Sequence, residues 1–228
     1  MCGRFALGLP RKTIQDRFGL AAIPEAPPRF NIAPGHLVEA VAWDDSLPGR
    51  RMTLLRWGLV PSWARDPSMG GRMINARAET VWDKPAFKAA VRRRRVLVPA
   101  QGFYEWSGGK GRRQAWFVAP KDGGLAALAG IREHYESPSG EVIDSLALLT
   151  CAANSLMAPI HQRMPVVIRP GDDARWLAPG DARLQDLEDL LLPREWPDMT
   201  AWRVGARVNA VSNEGPELIE PQPGPPLT

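Results

Sequence analysis

The chain alternates apolar and polar positions over many short runs, and this period of two predicts a structure built mainly of strands. The first two runs, His36–Trp43 and Arg51–Val60, follow each other closely enough to predict a hairpin. The Pro-rich segment Pro24–Gly35 is predicted to be an extended loop. Further strands are predicted at Arg95–Trp106, Gln114–Pro120, Gly124–Tyr135, Val142–Ala153 and Thr200–Val211.

Apolar residues recur with a helical spacing in segments that lie between these runs. The predicted helices are Leu9–Leu20, Lys84–Arg95 and Asp181–Pro193, the last with Asp181 as its N-cap. Strands dominate, and helices are interspersed without strict alternation. The pattern therefore favours an α+β fold, with mixed and antiparallel sheets forming a barrel-like core, over a doubly wound parallel sheet.

The length and composition are those of one compact domain. The 228 residues suffice for a substantial core, and the Pro-rich residues 222–228 are predicted to be a flexible tail. No apolar run approaches the roughly 18 residues of a membrane span, and the N-terminus lacks a signal-peptide pattern. The two cysteines, Cys2 and Cys151, have no metal-site spacing. We therefore expect a cytoplasmic monomer without a metal, a cofactor or a membrane contact.

The charge balance is basic, with 29 Lys and Arg against 25 Asp and Glu, and Arg outnumbers Lys. This balance fits a polyanionic partner, because the planar guanidinium binds phosphate through paired donors. The run Arg92–Arg95 has a simpler interpretation as a solvated helix end.

Cys2 directly follows the initiator Met1, so trimming of Met1 would leave one residue that carries both a free amine and a thiol. An α-amino group has an ordinary pKa of about 7.7 to 8.0 and is partly unprotonated at neutral pH. It can form an imine with an aldehyde, and the thiol can then close a five-membered thiazolidine ring. The alternative is that Cys2 is only a small buried residue.

Three further segments combine polar residues in ways that suit a cleft. In a strand, Asn75, Arg77 and Glu79 would share one face, and the alternative to a cleft is a solvated edge. Glu105 lies among aromatic residues and is a candidate general acid, or else an outward-facing side chain. His161 lies between two prolines and is a candidate acid or base, or else a structural hydrogen-bonding residue.

Trp and Arg residues are interleaved in Leu54–Asp66, a combination that binds single-stranded nucleic acid through phosphate contacts and base stacking. Trp57 falls inside a predicted strand and is expected to be a core residue. Trp63 falls in a polar loop and is the better candidate for stacking.

Seven motifs, in this order, resemble those of the SOS response-associated peptidase (SRAP) family. They run from residue 2 to about residue 221, which predicts one SRAP domain over residues 2–221. The motifs are MCGRF, FNIAP, WGLVPSWA, INARAET, VPAQGFYEW, IHQRMP and VSNEGPELIEP.

This resemblance implies a sensor of abasic sites in single-stranded DNA, with sheets closing around a basic DNA-binding cleft. Family members capture the ring-opened sugar on the N-terminal cysteine as a thiazolidine crosslink, which shields the lesion during the response to DNA damage. The family name also implies a peptidase that removes Met1, and strand cleavage by a lyase reaction is a conceivable side activity. By motif, the catalytic residues would be Cys2, Asn75, Glu105 and His161, and the DNA-binding residues Arg4, Trp63, Arg77 and Arg163.

Two other functions compete with this one. Glutamine amidotransferases also begin with Met-Cys-Gly, but the chain has neither their Arg-rich carboxylate-binding motif nor their Asn-Gly oxyanion loop. A noncovalent reader of single strands or modified bases, in which Cys2 is incidental, predicts salt-sensitive binding that survives Cys2→Ala.

Overall fold

A computed structural model of the protein describes residues 2–44, 49–109 and 113–228. Over these residues the chain forms thirteen strands, four α-helices and three 3₁₀ helices. The strands are β1 (Phe5–Leu7), β2 (Arg29–Ile32), β3 (Leu37–Asp44), β4 (Gly49–Trp57), β5 (Asn75–Arg77), β6 (Arg95–Ala100), β7 (Gly102–Ser107), β8 (Gln114–Pro120), β9 (Ala126–Glu136), β10 (Val142–Ala152), β11 (Arg163–Pro165), β12 (Val167–Ile168) and β13 (Met199–Val204). The α-helices are α1 (Arg11–Phe18), α2 (Lys88–Arg93), α3 (Asp173–Leu177) and α4 (Leu184–Leu191). The 3₁₀ helices are Pro67–Arg72, Ala206–Asn209 and Pro216–Ile219.

Five strands close into a barrel. The order around it is β4, β3, β6, β9 and β10, and the ring closes where β10 pairs with β4 in parallel. The other four pairings of the ring are antiparallel. Three short strands extend its edges, with β5 and β11 pairing with β10 and β12 pairing with β9. The prediction of an α+β fold with a barrel-like core is confirmed.

A second, antiparallel sheet packs against the barrel, with strand order β13, β8, β7, β1, β2. Its inner face carries Phe5 and Phe103 into the main core, where the Phe5 ring lies 5.4 Å from the ring of Trp57 in β4. Its outer face carries Tyr104 and Phe117 into a smaller cluster, which includes Val208 of the second 3₁₀ helix. Because both faces are covered, alternate residues of β7 point into two different cores.

Several predicted elements are confirmed, and their burial explains why. Helix α1 buries Ile14 and Phe18, the two apolar residues spaced by about one turn. Strands β3 and β4 form the predicted antiparallel hairpin, and the runs predicted at β8, β9 and β10 are strands. Trp57 is 1% exposed, as expected for a core residue.

The single strand predicted over Arg95–Trp106 is wrong, because the chain changes sheets within it. Strand β6 belongs to the barrel and β7 to the second sheet, and between them the Gln101 N–H donates to the Ala6 carbonyl at 2.8 Å. A Cβ at Gly102 would lie 2.6 Å from the Val118 carbonyl oxygen. Glycine therefore permits the close approach of β8 at this crossing.

Four other predictions need correction at their boundaries. Arg29–Ile32 form β2, within the segment predicted to be a loop, because pairing with β1 satisfies their backbone. Strand β13 ends at Val204, before a 3₁₀ helix. Helix α2 begins at Lys88, after a series of turns. Helix α4 is capped at Arg183, whose N–H donates to the Asp186 carboxylate at 2.9 Å. Asp181, the predicted cap, instead accepts hydrogen bonds from Arg92 and Arg93.

The interpretation of Arg92–Arg95 as a solvated helix end is wrong for its last residue. Arg95 is 5% exposed, and its guanidinium donates to the carbonyl oxygens of Trp176, at 2.7 Å, and Val91, at 3.0 Å. The carbonyls of Arg92 and Ala178 are further acceptors. This arginine therefore links α2 to the end of α3 and is not available to an external anion.

At the end of the chain, Leu227 and Ala201 of β13 exchange two backbone hydrogen bonds, of 2.7 and 2.9 Å.

Among the helices of the described residues, none is both long and apolar enough to span a bilayer.

Candidate active site

Cys2 lies between the barrel and the second sheet and is 1% exposed. The Tyr104 N–H donates to the Arg4 carbonyl at 2.9 Å, so the N-terminal segment continues the β1–β7 pairing towards Glu105. Burial and the neighbouring Glu105 carboxylate raise the pKa of the Cys2 thiol to about 12. The thiol is therefore protonated at neutral pH.

Asn75 holds the backbone of Cys2. It is the first residue of β5, which pairs in parallel with β10, and its Nδ2 donates to the Cys2 carbonyl at 2.8 Å. The Trp57 indole N–H supports this position by donating to the carbonyl of Ile74 at 2.9 Å. Within the described residues the Asn75 Oδ1 is buried and has no hydrogen-bond partner. The site thus contains an acceptor that suits a donor group of a substrate or of the N-terminus.

Glu105 and His161 form a pair beside Cys2. Glu105 alternates with Tyr104 on β7 and faces the main core opposite Trp116, so that its side chain is 4% exposed. The outward orientation considered from the sequence is wrong. His161 precedes β11, and its Nδ1 lies 3.2 Å from the Glu105 Oε1.

One proton decides how this pair is bonded. The His161 Nδ1 is also 2.9 Å from the backbone N–H of Arg163 and 3.1 Å from its carbonyl oxygen. If Nδ1 is unprotonated, its one lone pair can accept from the Arg163 N–H or from a protonated Glu105. If Nδ1 carries a proton, it can donate to the Glu105 carboxylate or to the Arg163 carbonyl. The two arrangements differ in the place of one proton. His161 can therefore be either a donor or an acceptor of a hydrogen bond in this pair.

Arg163 follows this pair, and its guanidinium faces Glu79. Nη1 and Nη2 donate to the two Glu79 oxygens at 2.6 and 2.9 Å, and Nη2 also donates to the Thr150 carbonyl at 2.6 Å. These hydrogen bonds lower the pKa of Glu79 below its ordinary value, which keeps it an anion at neutral pH. Glu79 lies in the turn after β5, so only Asn75 and Arg77 of the three predicted residues are in a strand.

Arg77 and Trp63 are exposed, whereas Arg4 is partly buried. Trp63, in the loop after β4, is 57% exposed. The Nη1 of Arg4 donates to the Asn31 Oδ1 at 2.6 Å and the Val208 carbonyl at 2.7 Å, and burial lowers its pKa. The guanidinium of Arg4 also lies 5.8 Å from the centre of the Trp106 ring.

Asn31 is a structural residue of the site that the sequence analysis missed. It is fully buried, and besides accepting from Arg4 it donates to the carbonyls of Ala210, at 3.0 Å, and Asn213, at 2.8 Å. The Glu214 carboxylate accepts from the Phe30 N–H at 2.7 Å. Two distant motifs, FNIAP and VSNEGPELIEP, are thus parts of one support for the N-terminal segment. The sequence shows that both motifs are present, but it does not show that they contact each other.

Across the parts of the chain that the structure describes, no group of three or more His, Cys, Asp or Glu side chains is arranged to hold a metal ion. The candidate site therefore consists of Cys2, the Glu105–His161 pair and nearby arginines.

Known proteins are similar to this chain in sequence and in fold. The family model described as SOS response associated peptidase (SRAP) matches residues 1–211. The abasic site processing protein YoqW of Bacillus subtilis (strain 168) is 37% identical over 224 residues, which cover 96% of this chain and 99% of that protein. The abasic site processing protein HMCES of Mus musculus is 30% identical over 271 residues, which cover 97% of this chain and 76% of that protein.

Two crystal structures are similar to this fold. A protein from Bacteroides thetaiotaomicron has a TM-score of 0.82 at 20% identity, covering 96% of this chain and 99% of that one. A protein from Bordetella bronchiseptica has a TM-score of 0.77 at 26% identity, covering 90% of this chain and 100% of that one.

Proposed function

Because the chain belongs to the SOS response-associated peptidase (SRAP) family, we propose that it processes abasic sites in single-stranded DNA by a covalent reaction of Cys2. The relatives YoqW and HMCES are named as abasic site processing proteins, which supports the substrate. The observation that carries the reaction is the position of Cys2, held by Asn75 beside the Glu105–His161 pair. The amidotransferase alternative loses its support with the family assignment.

The proposed reaction joins an aldehyde to an aminothiol with loss of one water. The ring-opened abasic sugar presents an aldehyde, to which the Cys2 amine adds after Met1 has been removed. The resulting carbinolamine loses its hydroxyl as water and becomes an imine. The thiol sulfur then bonds to the imine carbon, the thiol proton passes to the nitrogen, and a thiazolidine crosslink remains.

The raised pKa of the Cys2 thiol favours this order of steps. A thiol that stays protonated is a poor nucleophile, so the amine attacks first and the thiol closes the ring when a base accepts its proton. Glu105 and His161 are the groups placed for these transfers, since the pair can give a proton to the departing hydroxyl and receive one afterwards. The Asn75 Oδ1 would accept from the amine or from a sugar hydroxyl.

The DNA strand would be held by cations on β5 and β11, the two strands that pair with β10 at Thr150. Arg77 on β5 and Arg163 on β11 border the site, and we assign phosphate contacts to both. Trp63 would stack on an unpaired base, and Arg4 would hold the N-terminal segment in reach of a phosphate. The crosslink would shield the lesion while the damage is repaired.

The family description also names a peptidase, and the cleavage this chain itself requires is the removal of Met1. We propose that Cys2, Glu105 and His161 serve this step as well. The mass of the N-terminal peptide from wild type and from Glu105→Gln measures it directly. Strand cleavage by a lyase reaction would appear as shortened DNA in the crosslinking experiment described next.

The crosslink is tested with labelled single-stranded DNA that carries one abasic site, analysed on a denaturing gel. The wild-type protein with Met1 removed should give a shifted band, and Cys2→Ala or an extra residue before Cys2 should abolish it. Cys151→Ala removes the other cysteine and should keep the band. Absence of the band for the wild-type protein would refute the proposal. Binding on a native gel that persists without any crosslink would favour the noncovalent module.

A second arm of this experiment measures the rate of crosslinking. Glu105→Gln and His161→Ala each remove a proton-transfer group and should slow the reaction by about 10²-fold or more. Noncovalent binding of an intact strand should change little in both variants. Wild-type rates in both would exclude the pair from the mechanism.

A further inference from the structure

The guanidinium of Arg163, which we assign to a DNA phosphate, already holds an anion. Its Nη1 and Nη2 form a two-pronged contact with the carboxylate of Glu79, at 2.6 and 2.9 Å. This is the same edge and the same geometry by which arginine binds two oxygens of a phosphate. Phosphate and Glu79 therefore cannot both occupy this edge of Arg163.

The side chains of Arg163 and Glu79 differ in exposure, and this difference indicates which of them would move when a phosphate replaces Glu79. The Arg163 side chain is 18% exposed, whereas that of Glu79 is 49% exposed, so the carboxylate lies on the solvent side. Thr150 accepts from the Arg163 Nη2 through its carbonyl at 2.6 Å and its hydroxyl at 3.2 Å. Arg163 would thus stay in place while Glu79, on a flexible stem in a turn, swings out.

The free-energy balance permits the exchange. An ion pair with a half-exposed partner contributes little net free energy, because water competes for both groups. A bound strand would also release counterions when its phosphate pairs with Arg163, and Glu79 would gain full hydration. Arg77, the exposed cation two residues before Glu79 on β5, adds to the positive potential that the phosphate meets.

We propose that Glu79 is a specificity-determining residue that competes with DNA phosphate for Arg163 and so weakens the noncovalent binding of intact strands. This inference rests on the proposed function, since it assumes that Arg163 contacts phosphate. A weaker grip lets the protein leave undamaged DNA. At an abasic site the covalent bond to Cys2 supplies the retention instead.

The experiment measures the affinity for a labelled intact single strand by fluorescence anisotropy over a range of salt concentrations. Glu79→Gln keeps the shape of the side chain and removes its charge, and it should tighten binding by about three- to tenfold. The slope of log K against log salt should change by less than the roughly 0.7 of a whole phosphate contact, because Arg163 meets a phosphate in both proteins. Glu79→Ala should act in the same direction.

Two controls separate competition at Arg163 from a general change of charge. Asp16→Asn removes one exposed carboxylate from α1, where it pairs with Lys12, and should change the affinity much less. In an Arg163→Gln background, Glu79→Gln should have only the small effect of this control. Equal effects with and without Arg163 would overturn the inference.

Unchanged or weaker binding of Glu79→Gln would also overturn it, the weaker case meaning that Glu79 merely holds Arg163 in place. These outcomes are independent of the crosslinking gel with abasic DNA. Loss of the inference alone would leave wild-type crosslinking intact, whereas failure of the proposed function removes the crosslink itself.

Discussion

Cys2 and Cys151 are equally buried, but they have different neighbours. Each is 1% exposed, and burial raises the pKa of Cys2 to about 12 and that of Cys151 to about 11. Only Cys2 also contacts Asn75 and lies beside Glu105. Cys151 packs in the core on β10, opposite Met164 of β11. The same residue type thus lies at the proposed reaction site in one place and only packs in the core in the other.

The raised pKa of Cys151 predicts a loss of stability at alkaline pH. In the unfolded chain its thiol ionises near the ordinary pKa of 9.0, whereas the folded chain keeps it neutral until about 11. The stabilisation from the neutral thiol is therefore complete below pH 9 and is lost as the pH rises towards 11. Over that range the free energy of unfolding should fall by about 2 to 3 kcal/mol because of this residue.

Thermal unfolding of wild type and Cys151→Ala at several pH values tests this expectation. The variant should have a lower Tm at neutral pH, because it leaves a cavity, but its Tm should decline less steeply above about pH 9. Cys2 and Tyr104, whose pKa values are also raised by burial, remain in both proteins and account for the decline that persists. Parallel curves would show that Cys151 does not contribute.

At the scale of elements, the residues of the candidate site are positioned by a short strand and by a crossing between sheets. β5 has three residues, yet its pairing with β10 fixes Asn75 against Cys2. The chain crosses from the barrel to the second sheet between β6 and β7. This crossing places Glu105 on β7, where its side chain faces the core between the barrel and the second sheet. The crossing depends on close backbone approach, which Gly102 permits.

Gly102 is the residue on which this crossing depends. In Gly102→Ala, the added Cβ would overlap the Phe117 ring and lie 2.6 Å from the Val118 carbonyl oxygen. Because the obstructing backbone cannot move cheaply, we expect the free energy of unfolding to fall by about 2 kcal/mol or more. Urea unfolding measures this loss, and the rate of crosslinking should fall as well because Glu105 follows three residues later.

Gly71→Ala is the matched control, because a Cβ at Gly71 would meet no atom within 4 Å. It should change the free energy of unfolding by less than about 0.5 kcal/mol. Similar losses in the two variants would mean that steric overlap at the crossing is not the cause.

At the scale of the whole molecule, much of the arginine excess is used inside the protein. Arg11 pairs with Glu39 at 2.6 and 2.7 Å, and Arg95 binds backbone carbonyls. Similar contacts hold Arg17 with Asp173, Arg94 with Glu133, and Arg194 with Asp172 and Asp189. The net charge of +4 is therefore a poor measure of the cations available to DNA.

Arg77 remains exposed, and it should contribute to the salt dependence of DNA binding. Arg77→Gln should weaken the binding of intact single strands of any sequence and lower the slope of log K against log salt by about 0.7. Lys12→Gln removes an equal charge from α1, where the side chain is 82% exposed, and should leave the slope unchanged. Titrations by anisotropy at several salt concentrations decide this, and equal slopes for wild type and Arg77→Gln would rule out a phosphate contact.

Most elements could be predicted from the sequence because their patterns are local. The alternation in β3, β4, β8, β9 and β10 and the spacing of Ile14 and Phe18 in α1 reflect which side of each element is buried. The errors fall where a long-range contact overrides the local pattern. β2 forms because β1 is available to pair with it, and Arg95 is buried because the carbonyls at the end of α3 surround it.

The sequence by itself determined the family, since seven motifs in order identify it, and it named the residue types of the candidate site. It also placed a potential amine and thiol on Cys2. Only the tertiary structure decided that Asn75 bonds the Cys2 carbonyl, that Glu105 faces His161, and that Glu79 covers Arg163. Each of these contacts joins two residues that are 56 to 84 positions apart in the sequence. Whether such residues meet depends on how the barrel closes and how the second sheet packs on it, and no local sequence pattern encodes either.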